Sequence, residues 1–334
     1  MASCDMGLSM AVPGSHGISL SRAVDAAPHR IRLGDAGEVG YYASTGGRDA
    51  PPLVLLHSVN AAASSSEMRP LFDAFRDRSV YALDWPGFGI SDRGDRAYSP
   101  AFYAETLARF VRAVVSPDGA AADVIALSLG AEFAARAALN HPHLVRSLVM
   151  ISPTGLGRSS GPPDALKKVV RSVEQSPRLA QLFFSTLVSR PSLRHYLNKS
   201  FHGPGDPELV NRAYESAHQP DARFAPFAFL RGELFTGDAY DALYRRLRVP
   251  SFVLYDRDAY STFERLPLLT RENPFMRALR VEPTQGMPHF EQTTQVELAI
   301  RSFYEAIEAA EQVESRIDTL PVSEQLGITS EARH

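Results

Sequence analysis

The chain has 334 residues, enough for one large domain with an insertion and a substantial apolar core. Its 35 Lys and Arg against 38 Asp and Glu leave a net charge of -3 with no dense basic run, which argues against a nucleic-acid partner. Cys4 is the single cysteine, so an intramolecular disulfide and a cysteine metal cluster are excluded; with no charged-then-apolar leader and no run of about 18 apolar residues, a cytoplasmic protein without a membrane span is expected.

Residues 1–27 mix Gly, Ser, Ala and Pro without periodicity and are expected to form a flexible leader. Strand-like alternation at His29–Leu33 and Glu38–Ser44, around Gly34-Asp35-Ala36-Gly37, predicts a hairpin. The continuous apolar runs Pro52–His57 and Ser79–Asp84 read as strands covered on both faces, with a helical segment over Ser66–Arg76 between them. Ser99-Pro100 combines a capping serine with a first-turn proline and opens a helix whose apolar face includes Leu107, Phe110, Val111 and Val114. A buried strand over Asp123–Leu127, a helix to about Leu139 and a strand over Leu148–Ile151 follow. Strands alternating with helices imply right-handed crossovers and a mostly parallel sheet with helices on both faces.

From Pro153 to about Arg248 the rhythm changes to helical stretches rich in aromatics and broken by Pro and Gly, at Ala165–Val173, Leu179–Leu187, Ser192–Phe201, Glu208–His218 and Phe224–Leu234. The strand rhythm resumes at Pro250–Tyr255 and Ala278–Val281, and a last helix spans about Thr294–Ala309. The expected organisation is a leader (1–27), an α/β core from 28–153 and 249–311, a helical cap (154–248) and a loose C-terminal tail (312–334).

The chemistry concentrates at Ala126-Leu127-Ser128-Leu129-Gly130, where a strand stops at a serine and turns at once into a helix. Strand and helix can pass each other there only because Ala126 and Gly130 are small, and the helix start places free N–H groups and a positive dipole end beside Ser128. This pentapeptide resembles the Gly-x-Ser-x-Gly nucleophile elbow of the α/β-hydrolase family, with alanine for the first glycine. Asp84-Trp85-Pro86-Gly87-Phe88-Gly89-Ile90-Ser91 resembles a second family motif, a structural turn after the fourth strand, and no catalytic part is given to Asp84. The resemblance covers roughly residues 29–311. It implies a Ser-acid-His order, with the acid after the strand that follows the insertion and the histidine after the last strand. Asp258 and His289 fill those places.

Besides the alanine at the elbow, this sequence departs from the family pattern in three ways. The acid loop Asp256-Arg257-Asp258 is short and offers two carboxylates; Asp258 lies closer to the common position, and Asp256 is the alternative. His289 follows Pro288 rather than a glycine, although it is the only histidine between Arg248 and the terminal His334. In His57-Ser58-Val59-Asn60 the usual His-Gly-x carries Ser58 for glycine; the resemblance makes Val59 and Leu129 the backbone oxyanion donors. Ser58 and Asn60 are candidates for substrate contact, as are His218 and Phe224 on the insertion, whereas His57 reads as a loop-pinning residue.

A serine at the elbow excludes the aspartate-nucleophile branches of the family, and no phosphate loop, dinucleotide fingerprint or metal-ligand spacing calls for a cofactor or metal. The expected function is a serine hydrolase of a small or medium carboxylic ester, acting on a small-molecule substrate. The alternatives are a carbon–carbon bond hydrolase of a diketone-like substrate and a slow hydrolase-like ligand receptor.

Overall fold

The computed structural model describes residues 18–47, 50–157 and 161–319. Eight strands form one sheet in the order β1-β2-β4-β3-β5-β6-β7-β8. They are β1 (Pro28–Arg32), β2 (Glu38–Ser44), β3 (Leu53–Leu56), β4 (Val80–Leu83), β5 (Ala122–Leu127), β6 (Val145–Ile151), β7 (Ser251–Arg257) and β8 (Met276–Gln285). The β1–β2 hairpin and the β2–β4 pair are antiparallel, and every other neighbouring pair is parallel.

Successive side chains on a strand point to opposite faces, so each central strand feeds two cores. Val54, Leu56, Val124, Ala126, Leu148 and Met150 pack with Leu107 and Phe110 of α2 (Pro100–Phe110) and Phe133 of α3 (Gly130–Asn140). Leu53, Leu55, Ile125, Leu127, Val149 and Ile151 pack on the other side with Leu71 and Phe72 of α1 (Arg69–Ala74). Between β6 and β7 lie five cap helices, α4 (Asp164–Val173), α5 (Pro177–Leu187), α6 (Arg190–Asn198), α7 (Pro207–Ala217) and α8 (Phe224–Leu230), followed by the short α9 (Ala239–Ala242). Val170, Phe184, Leu193, Val210 and Phe227 give the cap its own apolar centre.

Polar and packing contacts fasten the cap to the core on both sides. Ser216 of α7 accepts the Gly89 N–H at 3.1 Å, while an added Cβ at Gly87 would collide with Ala225 of α8. On the other side the Tyr260 hydroxyl donates to the Tyr196 carbonyl at 2.9 Å and Gln285 Nε2 to the Lys199 carbonyl at 2.8 Å.

Three expectations need correction. Residues 18–27, assigned to the leader, lie against the fold: the Ser21 N–H donates to Glu215 at 2.9 Å, and Ala23 and Val24 are buried in the second core. The small apolar side chains there join the core instead of marking a linker; residues 1–17, Cys4 included, fall outside the described residues. The region after β7 holds two unanticipated helices, α10 (Leu266–Glu272) and α11 (Pro288–Glu291). The final helix, α12 (Thr293–Thr319), passes well beyond Ala309 into the expected tail; Val296, Ile300, Phe303 and Ile307 anchor it, and Glu311 pairs with Arg146 at 2.8 Å.

Candidate active site

Ser128 sits at the sheet's carboxyl edge between β5 and α3 with φ 53, the left-handed region that a non-glycine residue enters only under constraint. Its N–H is anchored to the Ile151 carbonyl of β6 at 2.9 Å, and the residue is partly open to solvent. The small residue after it is required by contact: a Cβ on Gly130 would lie 2.6 Å from the His57 carbonyl oxygen. The elbow is therefore pressed against the loop that follows β3, as the Leu56–Ala126 register demands.

That loop is held from within. His57 is fully buried; Nε2 accepts the Trp85 N–H at 3.0 Å, so Nδ1 is the donor to the Ser58 carbonyl at 2.5 Å. Burial lowers the His57 pKa, and the imidazole serves as a neutral strut. Asp84 is structural too: its oxygens accept the Ser65 N–H at 2.7 Å and the Ile90 N–H at 2.9 Å. Ser58 has no left-handed backbone angle, so the missing glycine costs no strain. Asn60 Nδ2 donates to Ser58 Oγ at 2.9 Å and to Glu67 Oε1 at 3.0 Å, and its Oδ1 accepts the Ala62 N–H at 2.8 Å. Both side chains are thus engaged with the loop itself. Among the described residues, no hydrogen bond uses the Val59 or the Leu129 N–H.

His289, at the start of α11, is fully buried, and its Nε2 lies 2.7 Å from the backbone carbonyl of Glu67. A carbonyl only accepts, so Nε2 carries the proton, and Nδ1 is left buried without a partner. Burial pushes the His289 pKa down to about 4. Asp258 Oδ1 accepts the Tyr260 N–H at 2.7 Å and the Ser261 N–H at 3.2 Å, and burial raises its pKa to about 6 despite those bonds. Asp256 is occupied elsewhere, accepting from Arg280 Nε at 2.8 Å and the Thr284 N–H at 2.9 Å, a brace between β7 and β8. The three residues expected to cooperate follow the carboxyl ends of β5, β7 and β8: Ser128 at the elbow, Asp258 in the loop after β7 and His289 in α11. Among the described residues no hydrogen bond joins His289 to Ser128 or to Asp258.

The two cap candidates lie at the end of α7 and the start of α8. His218 stacks on Tyr214 with ring centroids 3.8 Å apart and lines a cavity of about 230 Å³ with Phe184, Val188, Asp221 and Arg223. Phe224 packs against the first sheet core beneath the Arg223 guanidinium. Two buried acids escaped the sequence reading. Glu132 accepts bonds from the Thr154 hydroxyl and the Thr236 N–H and so ties α3 to both ends of the insertion. Glu67 follows a serine-rich run beyond the loop, and its carboxylate accepts the Ser58 N–H at 2.9 Å. The available signal was an acid within an otherwise apolar or small-residue stretch.

Comparison with known proteins places this arrangement in context. A family model of the alpha/beta hydrolase fold matches residues 51–259. A 2-(acetamidomethylene)succinate hydrolase of Mesorhizobium japonicum is 31% identical over 105 residues, 31% of this chain and 36% of that protein, so the match spans about a third of its relative's length. Among solved structures, a thermophilic esterase from Thermogutta terrifontis superimposes with a TM-score of 0.62 at 19% identity over 84% of this chain and 99% of that one. The meta-cleavage product hydrolase from Pseudomonas fluorescens does so with a TM-score of 0.64 at 16% identity over 83% and 97%.

Proposed function

The chain belongs to the alpha/beta hydrolase fold family, and from that premise we propose that it is a serine hydrolase that cleaves a small or medium carboxylic ester through an acyl-enzyme on Ser128. The observation that carries this reading is the left-handed Ser128, φ 53, poised between β5 and α3 with the Leu129 N–H unengaged behind it. In the proposed reaction Ser128 Oγ attacks the acyl carbonyl while His289 takes its proton. The Val59 and Leu129 N–H groups receive the oxyanion, and Asp258 orients the imidazole through Nδ1–H. The alcohol leaves with the proton from His289, and water then repeats the sequence to free the acid. His289 must first release the Glu67 carbonyl and expose a bare Nε2.

The test is labelling by a fluorophosphonate probe, followed by turnover on aryl esters of increasing acyl length. Wild-type protein is expected to label and Ser128→Ala to remain unlabelled; equal labelling of both, or of neither, removes Ser128 as the nucleophile. A vinylogous diketone and 2-(acetamidomethylene)succinate belong in the same panel, since faster cleavage of either assigns the chemistry to a carbon–carbon or amide-type bond. A second reading, a slow hydrolase-like receptor, draws support from the engaged His289 ring. It predicts one slow turnover and a ligand-induced rise in Tm in place of sustained cycling.

A further inference from the structure

We propose that Glu67 is a positioning residue for this hydrolysis, holding the oxyanion loop in its productive shape; the proposal rests on Ser128 being the nucleophile. Glu67 lies in the 3-10 turn Ser65–Met68 and is 5% exposed. One carboxylate oxygen accepts the Ser58 N–H at 2.9 Å, and the other accepts Asn60 Nδ2 at 3.0 Å. The residues on either side of Val59 are therefore tied to one rigid acceptor, which fixes the peptide that carries the Val59 N–H. The same residue's backbone carbonyl receives His289 Nε2 at 2.7 Å. The side chain and the backbone carbonyl of one residue thus reach both the oxyanion loop and the candidate base.

A carboxylate is a costly choice for a structural tie. A buried acid must be compensated by hydrogen bonds or a cation, and among the described residues no Lys or Arg pairs with Glu67. Negative charge beside a forming oxyanion also opposes it electrostatically. If charge were its only effect, removing it would speed the reaction. If Glu67 acts by holding the loop, removing one of its two acceptors slows the reaction although the charge is gone. These opposite signs separate the two roles.

The experiment compares wild type with Glu67→Gln, which keeps size and one carbonyl acceptor, and with Glu67→Ala. Readouts are kcat and KM on the best aryl ester, and inhibition by a trifluoromethyl ketone that becomes a tetrahedral adduct on Ser128. For Glu67→Gln, kcat is expected to fall about 10- to 100-fold with little change in KM, and inhibitor affinity to weaken in parallel, as for a disturbed oxyanion donor. Glu67→Ala is expected to fall further. A Glu67→Gln protein with a native melt and unchanged or faster kcat overturns the proposal and leaves the hydrolase reading intact. A wild-type protein that the fluorophosphonate does not label overturns both.

Discussion

His289 donates its Nε2 proton to the Glu67 carbonyl across 2.7 Å, and this single bond sets the tautomer of the candidate base opposite to the one catalysis requires. A general base facing Ser128 needs a bare Nε2 and a protonated Nδ1, whereas here Nδ1 is bare and buried. Exchanging the arrangements gives up one hydrogen bond, a cost of about 1 kcal/mol net. Nitrogen-15 NMR of the free protein at pH 7, with Ser128→Ala and His289→Gln for assignment, is expected to show the Nε2–H tautomer for His289. Binding a tetrahedral adduct should move the proton to Nδ1 or produce an imidazolium. A free-protein spectrum already showing Nδ1–H would contradict this picture.

The difference between what was legible in the sequence and what was not has a physical pattern. Strands buried on both faces, such as Leu53–Leu56 and Ala122–Leu127, announce themselves as apolar runs, and Ser99 with Pro100 marks the start of α2, where Ser99 Oγ accepts the Phe102 N–H. Strand β8 lies at the sheet edge with mostly exposed side chains, so only Ala278–Val281 of its ten residues read as strand. The elbow was readable because local backbone geometry dictates small neighbours. The direction of the His289 ring depends on a bond to a turn 222 residues earlier, and no local pattern encodes that.

Gly130 offers a test of the contact between elbow and loop. Gly130→Ala puts a methyl group 2.6 Å from the backbone carbonyl oxygen of His57, which cannot rotate away as a side chain could, so α3 or the loop must shift. A loss of about 1–3 kcal/mol is expected, together with a fall in kcat because the Leu129 and Val59 donors separate. Gly119→Ala, with nothing within 4 Å of the added carbon but φ 86, is the control for backbone strain alone. Denaturant melts and ester turnover on both proteins decide; equal activity losses would deny Gly130 any special closeness.

Glu291 clamps the cap over the histidine loop. Its Oε1 accepts the His202 N–H at 2.6 Å and its Oε2 the Gln285 N–H at 2.7 Å, joining the segment after α6 to the end of β8. Glu291→Ala is expected to raise hydrogen exchange at His202, Gly203 and Gln285 while the β3 and β5 amides stay protected, and to raise KM more than it lowers kcat. Unchanged exchange at these three amides would mean that other contacts hold the cap.

The acid is decided by two substitutions whose effects on stability and activity run in opposite directions. Burial raises the Asp258 pKa to about 6, above the ordinary carboxylate range, so the folded state binds the proton more tightly than the unfolded chain. That preference stabilises the fold below the unfolded pKa, and the advantage is lost as pH rises through about 6. Both backbone N–H bonds to Asp258 end on Oδ1, which an asparagine retains. Asp258→Asn is therefore expected to gain in melting temperature relative to wild type as pH goes from 4 to 8. Its turnover should fall by orders of magnitude, and the acidic limb of kcat/KM near pH 6 should disappear. Asp256→Asn should do the reverse: its single amide oxygen can keep only one of the bonds to Arg280 and the Thr284 N–H, so the brace weakens and the melting temperature falls, while most activity and the limb remain. Melting curves across pH and pH–rate profiles for the two proteins give the answer. If Asp256→Asn is folded but inactive while Asp258→Asn turns over normally, the carboxylate that serves His289 is the one two residues earlier.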